Sequence, residues 1–244
     1  MKHKIIVIIQ ARLGSIRYPS KVLEKLGRKT LIEIIIERLS KSKLIEKVVV
    51  ATTNKQKDKR LISFLKKKKI YTYAGNEKNV LSRYYALAKK LKPTHIVRVC
   101  GDCPFSDYKI LDTLIKKIKD NNYDYVSNIN PPTFPDGFDL EVFSYKSLVK
   151  AAKKAKSDYD REHVTPYIIR NTKNSFNFSL SKDYSKYRLT IDEPKDFIVI
   201  KNTFKKLKYK NYFSYKDVLK VINKYPKIFD ENISIERNLG SKIS

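Results

Sequence analysis

The segment ARLGSIRYPSK (residues 11–21) combines three cations, a hydroxyl group and a glycine in a short polar stretch. Guanidinium groups bind phosphate oxygens through paired donors, an ammonium adds a compact charge, and backbone N–H groups can complete a triphosphate site. It is not a Walker A loop, because the G-x-x-x-x-G-K-[ST] spacing is missing. Arg12, Ser15, Arg17 and Lys21 are therefore candidates for binding a polyphosphate, and the alternative is an ordinary basic surface loop.

Two aspartates stand directly after predicted strands, Asp102 in VRVCGDCP and Asp192 in LTIDEP. Mg²⁺ binds one or two carboxylates and fills its other positions with water and phosphate oxygens. The pair could hold this ion if the two strand ends meet. The alternatives are structural, since Asp102 could cap the next turn and Asp192 could be the N-cap of a helix that opens with Glu193 and Pro194.

Cys100 and Cys103 form a C-x-x-C pair, which raises a metal-binding or redox interpretation. A zinc site would need two more ligands, and His3, His95 and His163 do not have a suitable spacing. A redox pair at a helix N-terminus is chemically possible. The aspartate between the two cysteines disfavours it, because its charge opposes a thiolate.

Two further segments carry candidate ligands for a substrate. FPDGFDLEV contains Asp136, Asp139 and Glu141, which could bind sugar hydroxyls or a metal; the alternative is a turn at Asp136 and the glycine after it. REHVTPY contains Arg161 and His163, which could hold a carboxylate or assist proton transfer, although a single histidine is more often structural.

The elements that must position these residues follow from hydrophobic periodicity. Continuous apolar runs, typical of strands buried on both faces, alternate with amphipathic helical segments up to Asn128. The strands are KIIVIIQ (4–10), EKVVVAT, IYTYAG, HIVRVCGD and YDYVSN, and the helices are TLIEIIIERLSKS (30–42), KDKRLISFLKKK, NVLSRYYALAKKL and YKILDTLIKKIKD. This alternation predicts an α/β protein with a mostly parallel, doubly wound sheet.

The rhythm breaks at INPPTFPDG, and the second half is an α+β elaboration of the same sheet. It is predicted to contain the strands FDLEVF, FNFSL and KYRLTI and helices over 145–156, 160–171, 194–207 and 215–224. Open parallel sheets bind ligands beyond the carboxyl ends of their strands. Cations from the loop after the first strand and the two aspartates should therefore meet at one rim, a layout suited to a polyanion and a divalent metal.

Composition limits the class of protein. The chain has 244 residues, 53 Lys and Arg against 25 Asp and Glu, a net charge of +28 and 41% hydrophobic residues, which is enough to form a core. Two cysteines exclude a disulfide-built scaffold, and the absence of a signal or spanning segment predicts a cytoplasmic protein without a membrane partner. The charge is spread along the chain without a nucleic-acid recognition motif, so a solvated surface is favoured over a polyanion-binding protein.

The order and spacing of these segments resemble the cytidylyltransferase-like family of spore coat polysaccharide biosynthesis protein F. That family is related to acylneuraminate and 3-deoxy-manno-octulosonate cytidylyltransferases. The resemblance rests on QARLGSIRYPSKVLEKLGRKTLIEIIIERL, VVVATTN, AGNEKNVLSRYY, IVRVCGDCPFSD, YVSN, FPDGFDLEVF, DREHVTPYI and LTIDEPKDF. Two departures are Cys100, where octulosonate relatives carry Gln, and Gln10, where they carry Pro.

The resemblance implies a nucleotide-diphospho-sugar-transferase-like (Rossmann-like) fold and transfer of CMP from CTP to an acidic sugar or similar acidic acceptor, with release of pyrophosphate. It implies Mg²⁺ as cofactor, a role in making surface polysaccharide precursors, and a homodimer. One nucleotidyltransferase domain is expected over 1–244, with a nucleotide-binding half (1–128) and an acceptor-binding and dimerisation half (129–244). A glycosyltransferase of the same fold, with a metal on Asp136 and Asp139, is the alternative enzyme.

The site residues expected on these grounds fall into four groups. The catalytic group is Arg12, Lys21 and Asp102, and the metal ligands are Asp102 and Asp192. The nucleotide-binding group is Ala11, Arg12, Gly14, Ser15, Arg17, Lys21, Thr52 and Arg83. The acceptor-binding group is Asp136, Asp139, Glu141, Arg161 and His163.

Overall fold

The computed structural model describes residues 3–210 and 213–237. Seven of its strands form one sheet in the order β5-β4-β1-β6-β8-β7-β9, and β2 and β3 form a small hairpin. The strands are β1 (Ile5–Gln10), β2 (Lys25–Leu26), β3 (Lys29–Thr30), β4 (Lys47–Thr53), β5 (Thr72–Gly75), β6 (His95–Cys100), β7 (Tyr125–Ser127), β8 (Glu141–Ser144) and β9 (Ser175–Asn177). Only β8 runs antiparallel to its neighbours in the large sheet, so the predicted mostly parallel sheet is confirmed.

Helices cover both faces of the sheet. They are α1 (Leu31–Leu39), α2 (Lys59–Lys67), α3 (Val80–Leu91), α4 (Tyr108–Asn121), α5 (Tyr145–Lys154), α6 (Asp158–His163), α7 (Pro166–Asn171), α8 (Pro194–Lys206) and α9 (Tyr215–Lys224). Within the described ranges, no helix is both long enough and apolar enough to cross a membrane.

The core has two layers because β1 is buried on both faces. Ile5, Val7 and Ile9 face one layer, which packs against α1, α2, α4, α8 and α9. Ile6 and Ile8 face the other layer, beneath α3, α5, α6 and α7. This two-sided burial explains why β1 appears as a continuous apolar run in the sequence.

The second half differs from the prediction in three places. The strand predicted at FDLEVF starts only at Glu141 and inserts as β8 between β6 and β7. The helix predicted over 160–171 is two short helices, with Val164 at positive φ between them. The strand predicted at KYRLTI is wrong, because its only bridge pairs Asp136 with Arg188. Its strand-like alternation instead reflects the burial of Leu189 and Ile191 in the core.

Candidate active site

The ammonium of Lys21 lies between the two aspartates that follow β6 and the 186–191 segment. Its Nζ is 2.8 Å from Asp102 Oδ2 and 2.8 Å from Asp192 Oδ1, and it also donates to the carbonyl oxygen of Ile191. The side chain of Lys21 is only 8% exposed, whereas the two aspartates are 24% and 23% exposed. The loop after β1 and two distant aspartates therefore meet at one rim of the sheet.

Local backbone contacts hold this arrangement. The N–H of Ser20 donates to the carbonyl oxygen of Leu13 and closes the loop just before Lys21. The N–H of Ile191 donates to the carbonyl oxygen of Asp102, which sets the two aspartates side by side. Gly101 is needed here because a Cβ would lie 2.8 Å from the Cβ of Ala11. The ends of β1 and β6 can therefore approach closely.

Arg188, which the sequence analysis did not select, is the cationic centre next to this pair. Its guanidinium is 3.0 Å from Asp136 Oδ2, 2.7 Å from Asp192 Oδ2 and 3.0 Å from Asp196 Oδ1, and its side chain is 3% exposed. Burial alone would raise the pKa of Asp192, but Lys21, Arg188 and Arg17 lower it to about 2. Asp192 is therefore ionised at any physiological pH.

The cations of the 11–21 loop divide between two places. Arg17 joins Lys21 at the aspartates, with its guanidinium 3.2 Å from Asp192 Oδ1 and 3.7 Å from Glu193 Oε1. Arg12 turns the other way and lies 3.6 Å from Glu77 Oε1, in the loop after β5. Ser15 accepts a 3.4 Å hydrogen bond from the N–H of Tyr18 within the loop. The loop thus presents positive charge along the rim and not at a single point.

The structural alternatives for the two aspartates can be compared with this geometry. The N-cap of α8 is Glu193, which forms a capping box with Asp196, so the N-cap interpretation of Asp192 is wrong. The Asp102 carboxylate accepts from Lys21 and, at 3.5 Å, from the Cys103 thiol. Both carboxylates thus face the cation between them.

The cysteine pair does not suit redox chemistry. Burial raises the pKa of Cys100 to about 12 despite the nearby charge of Arg98. Burial, with the charge of Asp102, raises the pKa of Cys103 well above its usual value. Because the thiolate is the reactive form, neither residue is prepared for thiol exchange.

Three expected nucleotide-binding residues line the neighbouring strand ends. The N–H of Ala11 donates to Ala51 and continues the β1–β4 ladder past Gln10. Thr52 is fully buried, and its hydroxyl has no hydrogen-bond partner among the described residues. Arg83 is 4% exposed, and its Nε and Nη1 likewise lack partners within that part of the chain. Buried donors without partners are costly, which makes these groups candidates for contacts with a ligand.

The expected acceptor-binding carboxylates are each paired with an arginine. Asp136 is paired with Arg188, and Asp139 Oδ1 accepts a 2.6 Å hydrogen bond from Arg237 Nη2. Burial and the neighbouring Asp139 carboxylate raise the pKa of Asp136. A cavity of about 290 Å³ opens beside Asp136, Arg188 and Arg237.

Glu141 lies deeper than the other carboxylates, where it contacts Arg98 and accepts a 2.8 Å hydrogen bond from the Tyr125 hydroxyl. His163 packs against Tyr159, its buried Nε2 has no partner in the described ranges, and burial lowers its pKa. Arg161 is instead a surface residue, 3.5 Å from Asp158 in its own helix. The structure therefore does not bring Arg161 to the other acceptor candidates.

Several functional candidates were missed because little in the local sequence marks them. They are Lys57, Asp58, Glu77, Arg98, Arg188 and Arg237. In a chain with 53 Lys and Arg, one more cation carries no signal by itself. Arg188 had one available clue, because an arginine in a predicted buried strand needs a carboxylate and Asp192 follows four residues later.

The described residues contain no group of three or more His, Cys, Asp or Glu side chains placed to hold a metal ion. A divalent ion would therefore depend on Asp102 and Asp192, with water and phosphate oxygens completing its shell. The two carboxylates fit such an ion, because they already accommodate a cationic nitrogen between them and remain partly exposed.

The chain is similar to known cytidylyltransferases in sequence and in fold. Residues 6–229 match a family model described as "Cytidylyltransferase". The spore coat polysaccharide biosynthesis protein of Bacillus subtilis is 33% identical over 232 residues, which cover 91% of this chain and 95% of that protein.

Two solved structures share the fold. A cytidylyltransferase from Leptospira borgpetersenii superposes with a TM-score of 0.88 at 35% identity and covers 96% of this chain and 100% of that one. A CMP:2-keto-3-deoxy-manno-octonic acid synthetase complexed with CTP has a TM-score of 0.64 at 15% identity, covering 84% and 99%. The second likeness establishes the fold alone.

Proposed function

The chain belongs to the cytidylyltransferase family, and on that premise we propose that it transfers CMP from CTP to an acidic sugar or a similar acidic acceptor. Pyrophosphate is the other product, and the CMP-linked product is a precursor for a surface polysaccharide. The observation that carries the proposal is the convergence of Lys21, Asp102 and Asp192, next to Arg17, at the rim beyond the parallel strands. Binding at this rim is general for open parallel sheets.

The reaction is a displacement at phosphorus. An acceptor hydroxyl or carboxylate oxygen forms a bond to the α-phosphorus of CTP, and the bond from that phosphorus to the bridging oxygen of the β-phosphate breaks. Pyrophosphate leaves with that electron pair, and a hydroxyl acceptor releases its proton to solvent. Such chemistry depends mainly on positioning and on neutralising charge.

The residues of the 11–21 loop and of the neighbouring strand ends each have a role in this reaction. Arg12, Arg17 and Lys21 neutralise the polyphosphate and the departing pyrophosphate, while Ala11, Gly14, Ser15, Thr52 and Arg83 complete the nucleotide site. Asp102 and Asp192 would hold Mg²⁺, which when bound supplies positive charge at the phosphate oxygens and aligns the reacting groups. Lys21, Arg188 and Arg17 together keep Asp192 ionised, and Arg188 holds its Oδ2.

The acidic character of the acceptor is supported by the relatives and by the charge of the chain, and not by the cavity beside Asp136. Arg188 and Arg237 line that cavity, but Arg188 is already paired with three aspartates and Arg237 with Asp139. The structural neighbour complexed with CTP is named for an octonic acid. The net charge of +28 would also steer anionic reactants toward the protein.

The organisation of the chain forms part of the proposal. Residues 1–128 supply the nucleotide contacts and residues 129–244 the acceptor contacts, through Asp136, Asp139, Glu141 and His163, without Arg161. We further propose a homodimer, which light scattering of the purified protein would test directly.

The central experiment measures pyrophosphate. The protein is incubated with CTP, Mg²⁺ and a panel of octulosonic and nonulosonic acids, with neutral sugars as the comparison. Release is expected only with CTP and an acidic acceptor and should fall strongly in Asp102→Ala, whereas Asp120→Ala, an exposed aspartate on α4, is the matched control. Undiminished release in Asp102→Ala would contradict the metal assignment, and sugar transfer without pyrophosphate would indicate a glycosyltransferase.

A further inference from the structure

The carboxylate of Glu77 lies among cations from two other loops. Its Oε1 is 3.6 Å from a guanidinium nitrogen of Arg12 and 3.2 Å from Nζ of Lys57. Lys55 is 3.9 Å from the other oxygen. Arg12 comes from the loop after β1 and Lys57 from the short turn Gln56–Asp58 after β4, so one anionic oxygen joins two segments that are far apart in sequence.

Lys57 lies directly on the backbone of the loop over residues 11–21, called the nucleotide loop here because it is proposed to bind the nucleotide. A Cβ built on Gly14 would be 2.1 Å from Nζ of Lys57 and 2.2 Å from its Cε. The glycine therefore leaves the space that this lysine occupies. The ammonium of Lys57 thereby becomes part of the loop that carries Arg12.

Asp58 fixes the turn that carries Lys57 to the same loop. It is fully buried, accepts a 2.6 Å hydrogen bond from the N–H of Leu13, and also accepts from the hydroxyl of Thr53. The backbone of the turn that carries Lys57 is therefore anchored in the packed part of the molecule, while the Lys57 side chain is 47% exposed.

The charges in this cluster do not balance. Arg12, Lys55 and Lys57 surround the Glu77 carboxylate, and the buried guanidinium of Arg83 interacts with the charges of Arg12, Asp58 and Glu77, which leaves four cations and two carboxylates. Burial raises the pKa of Glu77, but Lys57, Arg12 and Lys55 lower it below its usual value, so the carboxylate is charged. The cluster can accept more negative charge than Glu77 supplies. The side chains of Arg12, Lys57 and Lys55 are 42%, 47% and 57% exposed.

We propose that Lys57 is a further phosphate-binding residue, and that a phosphate oxygen of the nucleotide replaces the Glu77 carboxylate between Arg12 and Lys57. This inference rests on the proposed function, because it assigns the triphosphate to the same loop. Glu77 holds the two cations in position without a nucleotide, and the phosphate takes over this contact when it binds.

The test compares Lys57→Met with Lys59→Met, which removes the same charge from an exposed position two residues away. Binding of inorganic triphosphate is measured by calorimetry, and KM and kcat for CTP are measured with Mg²⁺ present. Lys57→Met should weaken triphosphate binding and raise KM about fivefold or more, as expected for one charge-assisted hydrogen bond, with kcat and melting temperature unchanged. Equal affinities in the two variants would overturn the role of Lys57.

The variant Glu77→Gln tests whether a phosphate oxygen replaces the Glu77 carboxylate. Removal of the competing charge should tighten triphosphate binding, and weaker binding would overturn the replacement of Glu77 by phosphate. The outcomes also separate this inference from the proposed function. Lys57-dependent triphosphate binding without pyrophosphate release from CTP would contradict the function alone, whereas CTP turnover indifferent to Lys57 would contradict the inference alone.

Discussion

The backbone N–H of Leu13 donates a 2.6 Å hydrogen bond to the carboxylate of Asp58, 45 residues further along the chain. This bond connects the 11–21 loop to the turn that follows β4. It explains how a polar loop with an almost fully exposed Ile16 keeps a defined shape where its cations are needed.

Asp58→Ala should lower the free energy of unfolding by about 2 to 4 kcal/mol, because the Leu13 amide and the Thr53 hydroxyl would lose a buried acceptor. Urea unfolding followed by circular dichroism measures this loss. Asp120→Ala on the surface of α4 should change stability by less than about 0.5 kcal/mol. Similar stability of the two variants would show that the Leu13 contact is dispensable.

Lys21→Met should lower kcat about 100-fold or more, because the buried ammonium that is proposed to neutralise the departing pyrophosphate is lost. The same variant should bind Mn²⁺ more tightly than the wild type when no nucleotide is present, because no ammonium then competes for the two carboxylates. Electron paramagnetic resonance of free Mn²⁺ gives this affinity. Unchanged or weaker Mn²⁺ binding would argue against an ion between Asp102 and Asp192.

Arg188→Met should destabilise the protein by about 3 to 5 kcal/mol, since it leaves the buried Asp136 and Asp196 carboxylates without their cation. Arg161→Met breaks only a surface ion pair with Asp158 and should cost less than about 1 kcal/mol. Thermal and urea unfolding of both variants measure the two losses of stability. A small effect for Arg188→Met would mean that these carboxylates are satisfied by their other hydrogen bonds.

Cys100→Ser should retain most of the transferase activity, because the raised pKa of Cys100, about 12, leaves its thiol protonated and unsuited to redox chemistry. In the folded wild type, iodoacetamide should label Cys100 and Cys103 slowly at pH 8, and urea should make both reactive. Rapid labelling of the native protein, or activity that depends on Cys100, would revive a redox role.

His95 should make stability fall in mild acid. Burial, with the charge of nearby His3, lowers its pKa from 6.5 to about 4. Between these values the unfolded chain binds a proton that the folded chain does not, so stability decreases as the pH falls through this window. The difference in unfolding free energy between wild type and His95→Gln should therefore shift against the wild type from pH 7 to pH 5. An equal difference at both values would contradict the assignment.

The first half of the fold is readable from sequence because two-sided burial leaves an unambiguous local pattern. Ile5 to Ile9 are all buried, and β4, β6 and β7 carry similar apolar runs, whereas the edge strand β5 has no buried residue. KYRLTI misled for a related reason, since Leu189 and Ile191 are buried without a strand ladder. A buried segment shows an apolar pattern whether or not it pairs with a neighbouring strand, so the pattern alone does not predict the pairing.

Many residues of the candidate site could be predicted from the sequence, but the contacts between them could not. Arg12, Arg17 and Lys21 stand together in the sequence, yet Arg12 faces Glu77 while the other two face Asp192. That division depends on contacts over tens of residues, which no local spacing encodes. Asp58 was missed for the same reason, because its main partner is Leu13, 45 residues away, and only the Asp136 contact of Arg188 is similarly distant in sequence.

The insertion of β8 between β6 and β7 has a consequence for exchanging parts between related enzymes. A chimera joined at residue 128 would place a foreign strand in the middle of the sheet and a foreign residue opposite Arg98, where Glu141 now stands. A junction after Ser144 keeps β6, β7 and β8 from one parent. Asp136, Asp139 and Glu141 are then inherited with residues 11–21, so recombination in this fold would carry the carboxylates proposed to bind the acceptor along with the proposed nucleotide site.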